Sequence, residues 1–466
     1  MKGVINLVEK KSFLDRIENP IRKDALKLAW PVLTELLLGS LFGMIDMMML
    51  GWIADRALSA ASIAAVGITN QPLFLGLSLA QALNVGGTAM ISRYAGSKKE
   101  NKIENVLRHV ILLNLIILAI PVTIIGILYT DQIMLFMGAQ PDALAAGRIY
   151  FKVIMMGFLF QSFNMSITAA LRGVGETKAS MKINIIANFF NVIGNAVLIY
   201  GLFIFPELGV TGAGVSTAIS HVFATVMLLS YLLSKNSVIK VNLKNKFKVN
   251  KRIIKNLIRI GLPASLESLF LRSALIIFVR IVAGLGTVAY ASHQIALNIL
   301  SLSFKPGQAF GIAASSLVGM SLGGKKLKQA EEYAKETRKL GSIFSSVIAV
   351  ILFLFGRSIA SLYTSDPIII QNTAMILKII AFVQPFQSSQ LILAGALRGA
   401  GDTLWPLIST VIGVLGVRVV IAHILVNQFQ LGLAGAWIAV FIDQFVRWIF
   451  IKLRFRTGKW KYIRIH

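Results

Sequence analysis

The apolar run 30–51, WPVLTELLLGSLFGMIDMMMLG, holds two carboxylates, Glu35 and Asp46. In a helix that rises about 1.5 Å per residue, Asp46 lies roughly 22 Å beyond Pro31, inside a hydrocarbon layer about 30 Å thick. A charge there costs on the order of 2.5–3.5 kcal/mol on insertion scales, so such a residue normally faces a protein interior or a water-filled cavity. The chemistry open to it is reversible binding of a proton or a sodium ion. The alternative is a permanent ion pair that locks two helices together. No Lys or Arg occurs at a comparable depth in the next five apolar segments, so such a partner has to come from the second half of the chain.

Other residues have types and spacings suited to an interior. Asn184, Asn188, Asn191 and Asn195 recur at intervals of four, three and four and share one helix face. They serve either as interhelical glue or as hydrogen-bond partners of Asp46 in one of its protonation states. Gln161, Gln294, Gln387 and Glu267 join them as candidate cavity or substrate-binding residues. Glu35 and Glu267 each follow a proline, Pro31 and Pro263, by one turn, and near a helix N-terminus the dipole favours a carboxylate. Gly39 and Gly43 lie on the face of Glu35 and Asp46, and their spacing suits close approach of another backbone. Met44, Met47, Met48 and Met49 read as an adaptable binding surface or as lipid-facing packing. Asp443 and Arg447, at i and i+4, read as a local pair.

These residues must be positioned by membrane helices. The 466 residues are 56% hydrophobic and 14% charged, with mean hydropathy +0.74, against about 25% charged in soluble domains. The net charge of +27 sits in short clusters between apolar segments, which is a loop pattern and argues against nucleic acid. The absence of cysteine excludes disulfides and thiolate metal sites, and the histidines show no metal-ligand spacing, so no metal site is expected.

Apolar segments predict spans near 28–51, 58–91, 104–128, 149–171, 181–203, 210–233, 261–284, 287–320, 341–363, 374–397, 405–426 and 433–453. The second and eighth are interrupted by Pro72 and by Lys305-Pro306-Gly307, where kinks are expected. Lys and Arg concentrate in alternate connections, from Arg93–Arg108 to the tail, which predicts a multi-pass protein of the cell membrane with both termini cytoplasmic. The fold class is all-α, with about twelve transmembrane helices in two pseudo-symmetric six-helix lobes. Its parts are a basic arm 1–27 (Lys2, Lys10, Lys11 and Arg16 among its charges), a first lobe 28–233, a basic linker 234–260, a second lobe 261–453 and a basic tail 454–466.

The halves repeat. Phe160-Gln161-Ser162 and Ala170-Leu171-Arg172-Gly173-Val174-Gly175-Glu176-Thr177 match Phe386-Gln387-Ser388 and Ala396-Leu397-Arg398-Gly399-Ala400-Gly401-Asp402-Thr403 at an offset of 226. Pro31 and Glu35 match Pro263 and Glu267, whereas the position paired with Asp46 is Phe278. An even number of helices per half keeps the repeats parallel, and transporters bind substrate where such halves meet.

Pro31, Asp46 and Gly51, the paired Ala-Leu-Arg-Gly-x-Gly-[Glu/Asp]-Thr loops, Pro206-Glu207-Leu208-Gly209 and Ser292-His293-Gln294-Ile295-Ala296-Leu297-Asn298 resemble the multidrug and toxic compound extrusion (MATE) transporters. The resemblance covers nearly the whole chain. It implies two lobes around a central cleft and export of cationic or amphiphilic compounds in exchange for protons or sodium ions, without a cofactor, by a protein expected to be monomeric. By position, Asp46 matches the family's first-helix aspartate of cation coupling. Asn195 stands where some relatives carry an acid, and Gln384, Gln387 and Gln390 lie where others place an aspartate. Glu267 falls about one turn before the coupling glutamate of certain relatives. Pro31, Glu35, Arg172, Gly173, Gly175, Arg398, Gly399 and Gly401 read as structural motif positions. Arg272, Arg280 and Arg418 are expected to be neutralised, because a free cation would repel a cationic substrate. A lipid-linked saccharide flippase is the alternative function, and a membrane enzyme would need a catalytic constellation that the sequence does not display.

Overall fold

The computed structural model describes residues 18–242 and 247–465. Lys2, Lys10, Lys11 and Arg16 of the arm, Lys244 and Lys246 of the linker, and His466 lie outside them.

The described residues form twelve long helical rods in chain order, with a short helix Thr130–Phe136 between the third and fourth and a 3-10 turn Lys459–Tyr462 after the last. The rods are α1 (Pro20–Gly51), α2 (Arg56–Gly96), α3 (Glu100–Leu128), α4 (Pro141–Gly173), α5 (Thr177–Tyr200), α6 (Gly209–Leu233) and α7 (Lys251–Ala283). Then come α8 in two pieces (Thr287–Ser303 and Lys305–Gly323), α9 (Leu327–Ser361), α10 (Pro367–Gly399), α11 (Leu404–Asn427) and α12 (Gly432–Arg456). Ten are long and apolar enough to cross a membrane. The exceptions have local causes. α7 carries seven charged residues between Lys251 and Arg280. α8 is broken at Phe304, next to Pro306, which has no N–H to donate. α2, by contrast, runs through Pro72 without interruption.

Helix starts obey capping chemistry. Asn19 accepts from the N–H groups of Ile21 and Arg22 (3.0 and 3.2 Å), and Asp55, Asn250 and Asp366 cap α2, α7 and α10 in the same way. These caps set the first and seventh rods further back than hydropathy predicted, at Pro20 and Lys251 rather than 28 and 261. That corrects the dipole reading of Glu35 and Glu267, which lie about four turns inside their helices, beyond the reach of an N-terminal dipole.

Packing follows the repeat. α1 lies on α5 and on the second piece of α8, while α7 lies on α11 and on α2. α3 and α11 each contain a π-helical stretch, Asn114–Ala119 and Val411–Val419. At their basic ends α2 and α8 cross in backbone contact. A Cβ on Gly96 would lie 1.8 Å from the Met320 carbonyl oxygen, and one on Gly323 would lie 2.0 Å from that of Arg93. Only glycine permits that approach. The turns that follow both hold a lysine in the left-handed region, Lys98 at φ 56° and Lys325 at φ 59°.

Candidate functional site

Asp46 and Glu35 are presented to α5 by one face of α1, eleven residues apart. Asn195 Nδ2 donates to Asp46 Oδ1 at 2.8 Å, and Asn184 Nδ2 donates to Glu35 Oε1 at 2.6 Å. Both pairs are separated by 149 residues, so the parallel helices α1 and α5 form a two-rung ladder in register. Between the rungs, Gly39 and Gly43 face open space, and the side chain of the half-buried Asn188 makes no hydrogen bond to another described residue. This corrects the expectation that the glycine face seats another backbone: with both rungs holding α5 off by side-chain length, a gap is left.

The upper rung is anchored from behind. Asn195 is 1% exposed, and its Oδ1 accepts from Asn191 Nδ2 at 3.4 Å, which also reaches Ser216 Oγ and Thr217 Oγ1 of α6, each at 3.2 Å. Gly194 makes room for this, because a Cβ there would lie 2.4 Å from Ser216 Oγ. Tyr200 Oη donates to the Met49 carbonyl at 2.6 Å, closing α1 on α5 past Asp46. Among the described residues no Lys, Arg or His forms an ion pair with Asp46. The inter-half ion pair considered for it is absent from those residues. Among the described residues Asp46 is held by an amide alone, whose Nδ2 donates to the carboxylate while its Oδ1 accepts from Asn191.

The lower rung differs. Arg172 Nη2 binds Glu35 Oε1 at 2.8 Å. The second half repeats this arrangement: Arg398 Nη2 binds both oxygens of Glu267 at 2.8 Å, and Thr410 Oγ1, at the repeat position of Asn184, donates to Glu267 Oε1 at 3.0 Å. Glu267 therefore sits in an ion pair apart from Asp46. Gly173 and Gly399 let the ends of α4 and α10 pack on α2 and α8; a Cβ on Gly399 would meet the Ser315 carbonyl at 2.1 Å. Gly175 and Gly401 turn the chain at φ 88° and 84°. Burial pushes the Asp402 carboxyl up against the opposing pull of Arg454, which bonds it at 2.7 Å.

At the position paired with Asp46, Phe278 is buried against the Arg418 guanidinium, 5.7 Å from the ring centroid. Arg418 is neutralised by Asp443 Oδ2 at 3.0 and 2.5 Å. This corrects the Asp443–Arg447 reading: Asp443 lies mid-helix and turns to α11, where Gly413 lets the π-helical backbone approach, while Arg447 donates to Thr410 at 3.0 Å. Arg272 donates across the halves to Ser78 Oγ and the Phe74 carbonyl. Of the remaining amides, Gln294 donates to Tyr290 Oη at 2.6 Å, Gln161 is half-buried, and Gln387 is buried with Oε1 unpartnered. Met44 and Met48 are exposed, Met49 is buried and Met47 is half-buried, so the methionines divide between both readings. Sequence reasoning missed Ser216, Thr217, Tyr200 and the Arg418–Asp443 pair. Arg418, the one Lys or Arg in the span 405–426, beside Asp443, the one carboxylate in the span 433–453, was a signal for that pair.

The MatE family profile matches residues 31–197 and 263–424, the two repeats. The chain belongs to the MatE family. A chain of Thermotoga maritima named probable multidrug resistance protein NorM is 31% identical over 97% of this chain and 96% of its own. The uncharacterized transporter YisQ of Bacillus subtilis is 28% identical over 93% and 94%. The crystal structure of MATE in the bent conformation superposes with a TM-score of 0.86 at 24% identity, over 95% of this chain and 97% of that one. This chain is accordingly a multi-pass membrane protein with the MATE fold.

Proposed function

We propose that this chain is a secondary antiporter that exports cationic or amphiphilic organic compounds across the cell membrane in exchange for protons or sodium ions. The observation that carries the reading is Asp46: a carboxylate deep in an apolar helix, bonded to one amide and free of cationic partners among the described residues. The multidrug-resistance name of the Thermotoga relative supports the substrate class. Asp46 is the coupling residue, and the gap lined by Gly39, Gly43 and Asn188 is where ion and compound exclude one another. Coupling requires the two ligands to favour different conformations.

With the basic loops and both described ends of the chain cytoplasmic, the α2–α8 crossing closes the cytoplasmic side, and its opening is the alternating step. With no second carboxylate beside Asp46 among the described residues, a single-site proton mechanism is favoured. The test is export of ethidium from proteoliposomes under an imposed pH gradient alone and under a sodium gradient alone. Transport driven by one of them is expected, and equal flux with and without both gradients would overturn antiport.

A further inference from the structure

Outside the ladder the molecule carries a groove of about 1120 Å³ between α9 and α12, floored by Leu393 of α10 and Phe455. Its two ends differ in chemistry. At the basic end stand Arg338, Lys339, Lys452 and Arg456. The groove's two carboxylates are taken up by other cations: Glu331 pairs with Lys335 (2.6 Å) and Lys461, which also line the groove, and Glu336 with Arg22 at 2.7 Å. Among the described residues no carboxylate forms an ion pair with Arg338, Lys339, Lys452 or Arg456. Lys452 is held in place by the Trp448 ring, 4.1 Å from Nζ to the centroid. Away from this end the lining turns to Ile343, Val347, Val350 and Ile351, and Val347 and Val350 are each 56% exposed. From Arg338 to Val350 the helix rises about 18 Å, the length of much of an acyl chain.

We propose that this groove is a binding site for an anionic glycerophospholipid of the leaflet at the basic end. The phosphate lies among Arg338, Lys339, Lys452 and Arg456, and an acyl chain lies along Ile343, Val347 and Val350. The charge pattern selects the occupant. Like charges held together without counterions favour a phosphate, with arginine supplying paired donors, and basic pockets between membrane helices beside an apolar wall suit lipid headgroups. A soluble anion would leave the exposed aliphatic wall unused. A zwitterionic lipid would bring its own ammonium into the cation cluster.

The test is retention of phosphatidylglycerol by the purified full chain in detergent, read by native mass spectrometry, with phosphatidylcholine as reference. Phosphatidylglycerol is expected to be retained preferentially, and the combined substitutions Arg338→Gln, Lys339→Gln, Lys452→Gln and Arg456→Gln to weaken it by at least about ten-fold. The charge-keeping set Arg338→Lys, Lys339→Arg, Lys452→Arg and Arg456→Lys should retain it, which separates loss of charge from loss of fold. Equal retention of the two lipids by the wild-type protein would overturn the proposal. So would displacement by glycerol 3-phosphate at the concentration at which phosphatidylglycerol binds, since that marks a soluble-anion site.

Discussion

The Asn195 amide donates to the Asp46 carboxylate across 2.8 Å, and the amide is itself fixed from behind by Asn191. A donor held this rigidly sets how readily the carboxylate takes up its ion. Hydrogen bonds to charged groups contribute about 1.5–3 kcal/mol. Asn195→Ala is therefore expected to change the apparent affinity for the driving ion by roughly ten-fold or more, while the protein still inserts. Initial export rates at graded ion concentrations check this; an unchanged ion dependence would show that the amide only joins helices.

Glu35 has a different task. Its ion pair with Arg172 and bond from Asn184 join α1, α4 and α5 where side chains are largely buried. Removing one partner leaves the other charged and unpaired, so Glu35→Ala should destabilise the protein by about 3 kcal/mol. Glu35→Ala combined with Arg172→Ala should recover part of that loss. Thermal unfolding in detergent measures both, and the repeat predicts the same pattern for Glu267 and Arg398.

The α2–α8 crossing predicts a conformational phenotype. Because a Cβ on Gly96 would fall 1.8 Å from the Met320 carbonyl, Gly96→Ala should hold the basic ends apart. The native chain contains no cysteine, so a single probe gives a clean signal. Ser92→Cys, fully buried at the crossing, should label slowly in the parent and faster with Gly96→Ala, and export should fall. Equal labelling would argue against closure at this point.

The buried Arg418–Asp443 pair supports a fourth expectation. Asp443→Ala strands a guanidinium inside the second half and should cost about 3–5 kcal/mol, read as a lower unfolding temperature. Asp443→Ala with Arg418→Leu should restore much of it.

How much of this was legible in the sequence depended on the kind of signal. The twelve rods follow from apolar run length and the asparagine face from helical spacing, both local signals, and the repeat follows from motifs that recur at an offset of 226. The early start of α1 was missed because hydropathy marks only the lipid-facing length, whereas the helix continues to its cap at Asn19. The Asp443–Arg447 reading failed because i,i+4 spacing ignores what a neighbouring helix offers, here Arg418 on a π-helical stretch. The gap at Gly39 and Gly43 was unreadable, because a small-residue motif states that backbones can approach without stating that they do.

The central claim is that Asp46 couples ion entry to export. The most direct measurement is gradient-driven ethidium export by Asp46→Asn in proteoliposomes, with reconstituted protein quantified. The amide is close in size to the carboxylate and still accepts from Asn195, so the fold should persist. Loss of gradient-driven export with normal insertion is the predicted result, and export equal to the parent protein would contradict the account.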